Sequence, residues 1–290
     1  MIDYNKTKNW CSGEVRHTYT TRDTILYALG LGLGSDPMDE QQLQYVYEKN
    51  LVVLPTMAAV LASPGAWMRE RTELGIDFLK IVHGEQSVMI HKPLGVSGTV
   101  IGESRVTRII DKGEGKGAVM YVEKTIKDLD SDNLLATAEQ VLFLRGDGGF
   151  SENGGGDSPA PILPGLPETK HDVELKIPIR PEAALIYRLS GDLNPLHVDP
   201  LVAAKAAFPK PILHGLATWG NAGRAIAQLF CENDPKRIRS LGARFTSPVF
   251  PGETLVFEGW RVGLEEIAFR VRVLERELIV LNNGRARIVP

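Results

Sequence analysis

The chain is poor in the features that would mark it for special environments. It has only two cysteines, Cys11 and Cys231. They form neither a disulfide framework nor a metal-ligand spacing, and a reducing cytosol fits. Neither sign of charge dominates, with 33 Lys+Arg against 36 Asp+Glu and a net charge of -3. With a pI near 6.1, that balance argues against a general nucleic-acid or membrane-surface role, although an anionic ligand needs only a local basic patch. No charged-then-apolar leader and no apolar run of membrane-spanning length is present, and the terminus Arg287-Ile288-Val289-Pro290 is no peroxisomal address. Aromatics are sparse at 7%. What is present is ordinary: 43% apolar and 24% charged residues over 290 positions, enough for two domains with a core each.

Taken in order, Tyr19–Leu33 reads as a helix with Thr20/Thr21 as cap, Asp23 in the first turn, and Ile25, Leu26 and Leu29 as its apolar face. Gly30, Gly32 and Gly34 end it. A further segment spans Gln41–Lys49. LVVLPTMAAVLASPG (Leu51–Gly65) is strongly apolar and predicts a helix after Pro55. From Ile81 the period changes to two, predicting strands over Val96–Ile110, Ala118–Lys127 and Leu134–Arg145. Residues 146–170, glycine-rich and then proline-rich, read as a linker between a first half, 1–145, and a second half, 171–290. The second half reads as a strand (Val173–Ile179), a helix (Pro181–Leu189), a turn, a long helix (Gly215–Phe230), and strands at Leu255–Val262, Ile267–Leu274 and Ile279–Ile288.

The two halves are a degenerate duplication. Ile25–Leu29 parallels Leu185–Leu189, LPTMAAV parallels PILHGLA, and KPLGVSGTV parallels SPVFPGETLVF. The chemistry is not duplicated. YRLSGDLNPLHVDP (Tyr187–Pro200) places Asp192 just past a Ser-Gly break and His197 beyond an Asn194-Pro195 turn. The first half has Leu31-Gly32 at the corresponding place. A carboxylate and an imidazole on one stiffened turn can converge on one water or one substrate proton. PILHGLATWGNAGRA (Pro211–Ala225) puts His214-Gly215 directly ahead of a helical pattern. Gly215 can therefore present a backbone N–H to a developing negative oxygen at a helix start.

The first of these stretches resembles the hydratase 2 motif of MaoC-like (R)-specific enoyl-CoA hydratases, and the following His-Gly is similar to that family's second landmark. The first half is similar to the N-terminal part of eukaryotic-type hydratase 2 through RDTILYALG, the YVYE segment, LPT, HGEQ and the DKGEG turn. The resemblance implies an α+β double hot-dog fold, each repeat a curved antiparallel sheet around a central helix. It implies (R)-specific hydration of trans-2-enoyl-CoA to (3R)-3-hydroxyacyl-CoA and the reverse dehydration. Asp192 and His197 would hold one water, Asn194 would hold that water or fix the turn, and the Gly215 N–H would meet the enolate-like oxygen. Substrate contacts are implied at His83, Gly84, Lys112 and Phe245.

No metal and no redox cofactor are implied, coenzyme A entering only as part of the substrate. A cytoplasmic homodimer is expected, with no nucleic-acid or membrane partner. The non-catalytic first half would accommodate the acyl chain if its own central helix, around Thr56–Ala62, is short or displaced. Each assignment has a plainer counterpart. An Asp after Ser-Gly is often a cap, a glycine beside a helix start is common, and a turn lysine such as Lys112 is often merely solvated. His214 and Glu48 read as structural. Alternatives are a dehydratase of carrier-protein-bound acyl groups, a hydratase of a branched dicarboxylyl-CoA, a thioesterase, or a non-catalytic acyl-CoA binder.

Overall fold

The computed structural model describes residues 2–153, 155–160 and 165–289. Its ten strands are β1 (Cys11–Tyr19), β2 (Ile81–Ile90), β3 (Gly98–Asp111), β4 (Ala118–Asp128), β5 (Leu134–Leu144), β6 (Val173–Pro178), β7 (Ile238–Phe245), β8 (Thr254–Arg261), β9 (Glu266–Val273) and β10 (Leu278–Ile288). They form one sheet in the order β1-β3-β4-β5-β2-β7-β10-β9-β8-β6. The order is a palindrome: β6 to β10 repeat β1 to β5 in mirror sequence. The halves join where β2 runs antiparallel to β7, from Glu85↔Arg244 to Met89↔Ser240. This is the double hot-dog, and the internal duplication read from the sequence is its physical basis.

Parity explains the strands. Along β4, Met120, Val122, Lys124 and Ile126 share the buried face; along β9, Ile267, Phe269, Val271 and Val273 do the same. Two strands are not obvious from sequence. β1 carries Glu14, Arg16 and His17 on a largely exposed edge with a bulge near Gly13, so alternation is weak. β7 is interrupted by Ser240, Gly242 and Arg244.

The long helix Gly215–Phe230 packs on β2, β6, β7 and β10, with Ala217, Trp219, Ala222, Ala225 and Ile226 fully buried. Its counterpart in the first half is a single 3-10 turn, Pro55–Ala59, where the sequence predicts a helix. Two contacts cut it short. Ala62 turns into the left-handed region at φ 48, and the Lys124 ammonium, arriving from β4, donates to the carbonyls of Ala59 (2.9 Å) and Leu61. A helix continuing through these residues would need those carbonyls for its own ladder. The Nδ1 of His17 accepts the Ala62 N–H at 2.9 Å. Burial brings the Lys124 pKa down to about 7.

The glycine-rich stretch after β5 is more anchored than a free linker. Phe150 is buried, the Asp147 carboxylate accepts the Asp77 N–H, and Asp157 accepts from Lys8, Tyr4 and the Ile109 N–H. Positions 154 and 161–164 of that stretch lie outside the described residues.

The halves dock through small residues. A Cβ on Gly223 would fall 2.6 Å from Thr56 Cγ2, and one on Gly220 would fall 2.8 Å from Leu31 Cδ2. The two equivalent short helices, Thr21–Gly30 and Ala183–Tyr187, also meet, with the Tyr27 and Tyr187 rings 5.8 Å apart. Gly223→Val is expected to destabilise the fold by about 1–3 kcal/mol through overpacking. Adding Thr56→Ser, which removes the opposing methyl and keeps the hydroxyl, should return part of that loss in chemical denaturation. Equal midpoints for the single and double variants would disprove this contact.

Candidate active site

The motif begins where the helix Ala183–Tyr187 tightens into a 3-10 turn, Arg188–Ser190. Gly191 closes that turn at φ 119, a conformation that side chains with a Cβ rarely adopt. The reversal sends Asp192 out of the helix line with its side chain half exposed. Asp192 Oδ1 accepts the Asn194 N–H at 3.1 Å. Asn194 Oδ1 in turn accepts the Leu196 N–H at 3.0 Å, capping the 3-10 turn Pro195–His197. Asn194 thus fixes the bend through its own side chain.

His197 is buried. Its Nδ1 lies 2.9 Å from the Ile212 carbonyl oxygen; a carbonyl only accepts, so Nδ1 carries the proton and Nε2 presents a lone pair. That Nε2 stands 4.0 Å from Asp192 Oδ2. Two acceptors therefore face each other at a distance too long for a direct bond. Burial lowers the His197 pKa below its ordinary value, which keeps the ring neutral near pH 7.

Gly215 opens the long helix. The first bonds of the helix run from the Ala217 and Thr218 N–H groups to the His214 carbonyl, and the Gly215 N–H has no acceptor among the described residues. Phe245, at the end of β7, lies over it: a Cβ on Gly215 would be 3.3 Å from the Phe245 ring. On the other side of the seam, the His83 ring meets Phe245 edge-on at 4.8 Å. A bulge in β2 between His83 and Glu85 makes this possible, because the extra residue, Gly84, returns His83 to the face shared by Gln86 and Val88. Burial pushes the His83 pKa down to about 4 against the pull of Asp192.

The structure thus gathers Asp192, Asn194, His197, Gly215, Phe245, His83 and Gly84 into one region. Lys112 is not in it. It is exposed in the turn after β3, on the same end of the sheet as His83 but across β4 and β5, as the pairs Ile110↔Val119, Val119↔Phe143 and Val82↔Phe143 show. At roughly 4.8 Å per strand the separation is about 14 Å. Glu48 is exposed, and nearby Gln44 bonds to the Asn233 carbonyl beyond the far end of the long helix, away from Gly215. His214 is more closely tied to the site than its structural reading implies: it stacks on His197 at 3.7 Å. Asp192, His197 and His214 place one ligand atom each within 4.8 Å of one another.

The chain has clear relatives. A family model described as "MaoC like domain" matches residues 163–283, and one described as "MFE-2 hydratase 2 N-terminal domain" matches residues 17–146. The chain is 38% identical to the peroxisomal enoyl-CoA hydratase 2 of Arabidopsis thaliana, covering 92% of this chain and 90% of the relative. It is 39% identical to 3-hydroxyacyl-thioester dehydratase Y of Mycobacterium tuberculosis, covering 93% of each. Among solved structures, a MaoC-like dehydratase from Phytophthora capsici superposes with a TM-score of 0.86 at 31% identity, covering 99% of each chain.

Burial lowers the pKa of His83 and His214 to about 4 and that of His197 below its ordinary value. In the unfolded chain these imidazoles take up protons near pH ~6.5, whereas the folded protein resists until lower pH. Their contribution to stability is therefore complete above about 6.5 and lost as the pH falls towards 4. The melting temperature should drop across that window, and His83→Phe should drop less than wild type. Parallel curves for the two proteins would contradict this account.

Proposed function

Because the chain belongs to the MaoC-like family and carries an MFE-2 hydratase 2 N-terminal domain ahead of its MaoC-like domain, we propose that Asp192, His197 and the Gly215 amide are its catalytic centre. The protein is a hydro-lyase. It adds water to trans-2-enoyl-CoA to give (3R)-3-hydroxyacyl-CoA and catalyses the reverse dehydration.

One observation carries the assignment of roles: a carboxylate oxygen and an imidazole lone pair face each other at 4.0 Å beside an N–H with no acceptor among the described residues. A water that donates one hydrogen to Asp192 Oδ2 and the other to His197 Nε2, at hydrogen-bond lengths of about 2.8 Å, spans the gap and keeps its own lone pairs free. Attack on the β-carbon moves electron density to the thioester oxygen, where the Gly215 N–H stabilises the enolate-like charge. The proton taken from the water returns to the α-carbon from the same face, so both new bonds form on one side. Asn194 holds the bend that sets the carboxylate.

The first half supplies room. Where the second half has a helix of 16 residues, it has a turn of 5, which supports a groove for long or bulky acyl chains. His83 and Phe245 would flank the thioester, and Lys112 would meet the coenzyme as a point charge. The Asp192–His197 pair reads as the proton-transfer unit, with no metal or redox cofactor required. No helix among the described residues is long and apolar enough to cross a membrane; we place the enzyme in the cytoplasm, as a homodimer.

Mixing the protein with crotonyl-CoA and decenoyl-CoA should consume the enoyl absorbance, and an (R)-specific dehydrogenase should oxidise the product. Release of free coenzyme A thiol instead would make it a thioesterase. Asp192→Asn and His197→Gln should each lower kcat by a hundredfold or more, on the order of a general acid–base contribution, with little change in melting temperature. Because His197 acts neutral, the acid limb of kcat/KM should fall below pH ~6.5. Prolonged treatment with EDTA should leave turnover intact; zinc-dependent recovery after inactivation would reassign the cluster to a metal.

A further inference from the structure

His214 touches each of the three groups assigned above, and none of those assignments uses it. Its ring stacks on His197, with centroids 3.7 Å apart and planes 27° apart. Its Nε2 lies 3.1 Å from the backbone carbonyl oxygen of Asp192, so Nε2 carries the proton and donates it. Its own carbonyl accepts the Ala217 and Thr218 N–H groups at 3.0 and 3.2 Å, the first bonds of the helix that Gly215 opens. The residue is buried, and its Nδ1 has no partner among the described residues.

We propose that His214 is a positioning residue for the hydration, aligning the Asp192 carboxylate, the His197 ring plane and the Gly215 amide through a single rigid side chain. The inference rests on the reading of those three as the catalytic centre. The Asp192–Asn194 bend is otherwise exposed, and it is tied inward where Arg188 donates to the Leu193 carbonyl and His214 to the Asp192 carbonyl. The stacked face meanwhile limits rotation of the His197 ring about its bond to Ile212. Displacement of a reacting group by about 1 Å can cost on the order of a hundredfold in rate.

The ring must also remain neutral, because an imidazolium stacked on His197 would oppose the uptake of a proton there. The charged and titratable groups facing it are His197, Asp192 and Arg188, with the Tyr187 ring 5.1 Å away. Burial and the neighbouring His197 bring the His214 pKa down to about 4.

Two variants separate the contacts. His214→Phe keeps an aromatic face for His197 and loses the donor to Asp192; His214→Gln keeps a donor and loses the face. With wild-type enzyme turning over decenoyl-CoA, each should lower kcat by about ten- to a hundredfold while KM changes less than about threefold. In an Asp192→Asn background, His214→Phe should lower the residual kcat no further, since the carboxylate that the lost donor aligns is gone. Unchanged kcat in both variants, a rise in KM alone, or a loss that tracks the folded fraction by melting temperature would overturn the proposal. An additive loss in the double variant would also do so. If wild type itself consumes no enoyl thioester, it is the underlying assignment that fails.

Discussion

The bond from the His197 ring to the carbonyl of Ile212 is the constraint on which the site depends. It spans the two functional stretches of the second half, one ending in the Asn194-Pro195 bend and the other leading into the long helix. By accepting a hydrogen bond from Nδ1–H it decides that Nε2 faces Asp192 as an acceptor. A flipped tautomer would place an N–H against the carboxylate and close the gap in which a water fits. Burial acts in the same direction, since a desolvated ring is harder to protonate.

The same economy of contacts explains the inequality of the halves. A curved sheet of ten strands has two concavities, and only one is filled by a helix of full length. In the other, a buried ammonium and a histidine nitrogen satisfy the backbone groups left by the short turn. The turn nevertheless approaches the second half: the Val60 carbonyl lies 4.0 Å from where a Cβ on Gly191 would sit.

How much of this was legible in the sequence depended on distance along the chain. Asp192, Asn194, His197 and Gly215 lie in two short stretches whose turn and helix-start signals are local, and their convergence could be anticipated. The strands β3, β4, β5, β8, β9 and β10 alternate clearly, and their pattern gives each to within a residue or two. β1 and β7 carry no such pattern, one because it is a solvated edge and the other because glycine and polar residues interrupt its apolar parity. The shortness of the Pro55–Ala59 turn depends on Lys124, which is distant in sequence. A signal for Lys124 did exist, because it has the parity of Met120, Val122 and Ile126 on the buried face. The stacking of His214 on His197 and the bulge that re-aims His83 carry no local signal, since each is decided by which elements become neighbours.

The seam between β2 and β7 has a consequence for how such a molecule diverges. If the two repeats were separate identical chains, rotational symmetry would oblige each to carry the same central helix and the same turns. Tethered in one polypeptide, they meet at a high effective concentration whatever their individual affinity, so each copy is released from resembling the other. Phe245 and His83 then come from opposite sides of the seam and meet ring to ring in a contact that neither repeat could make alone.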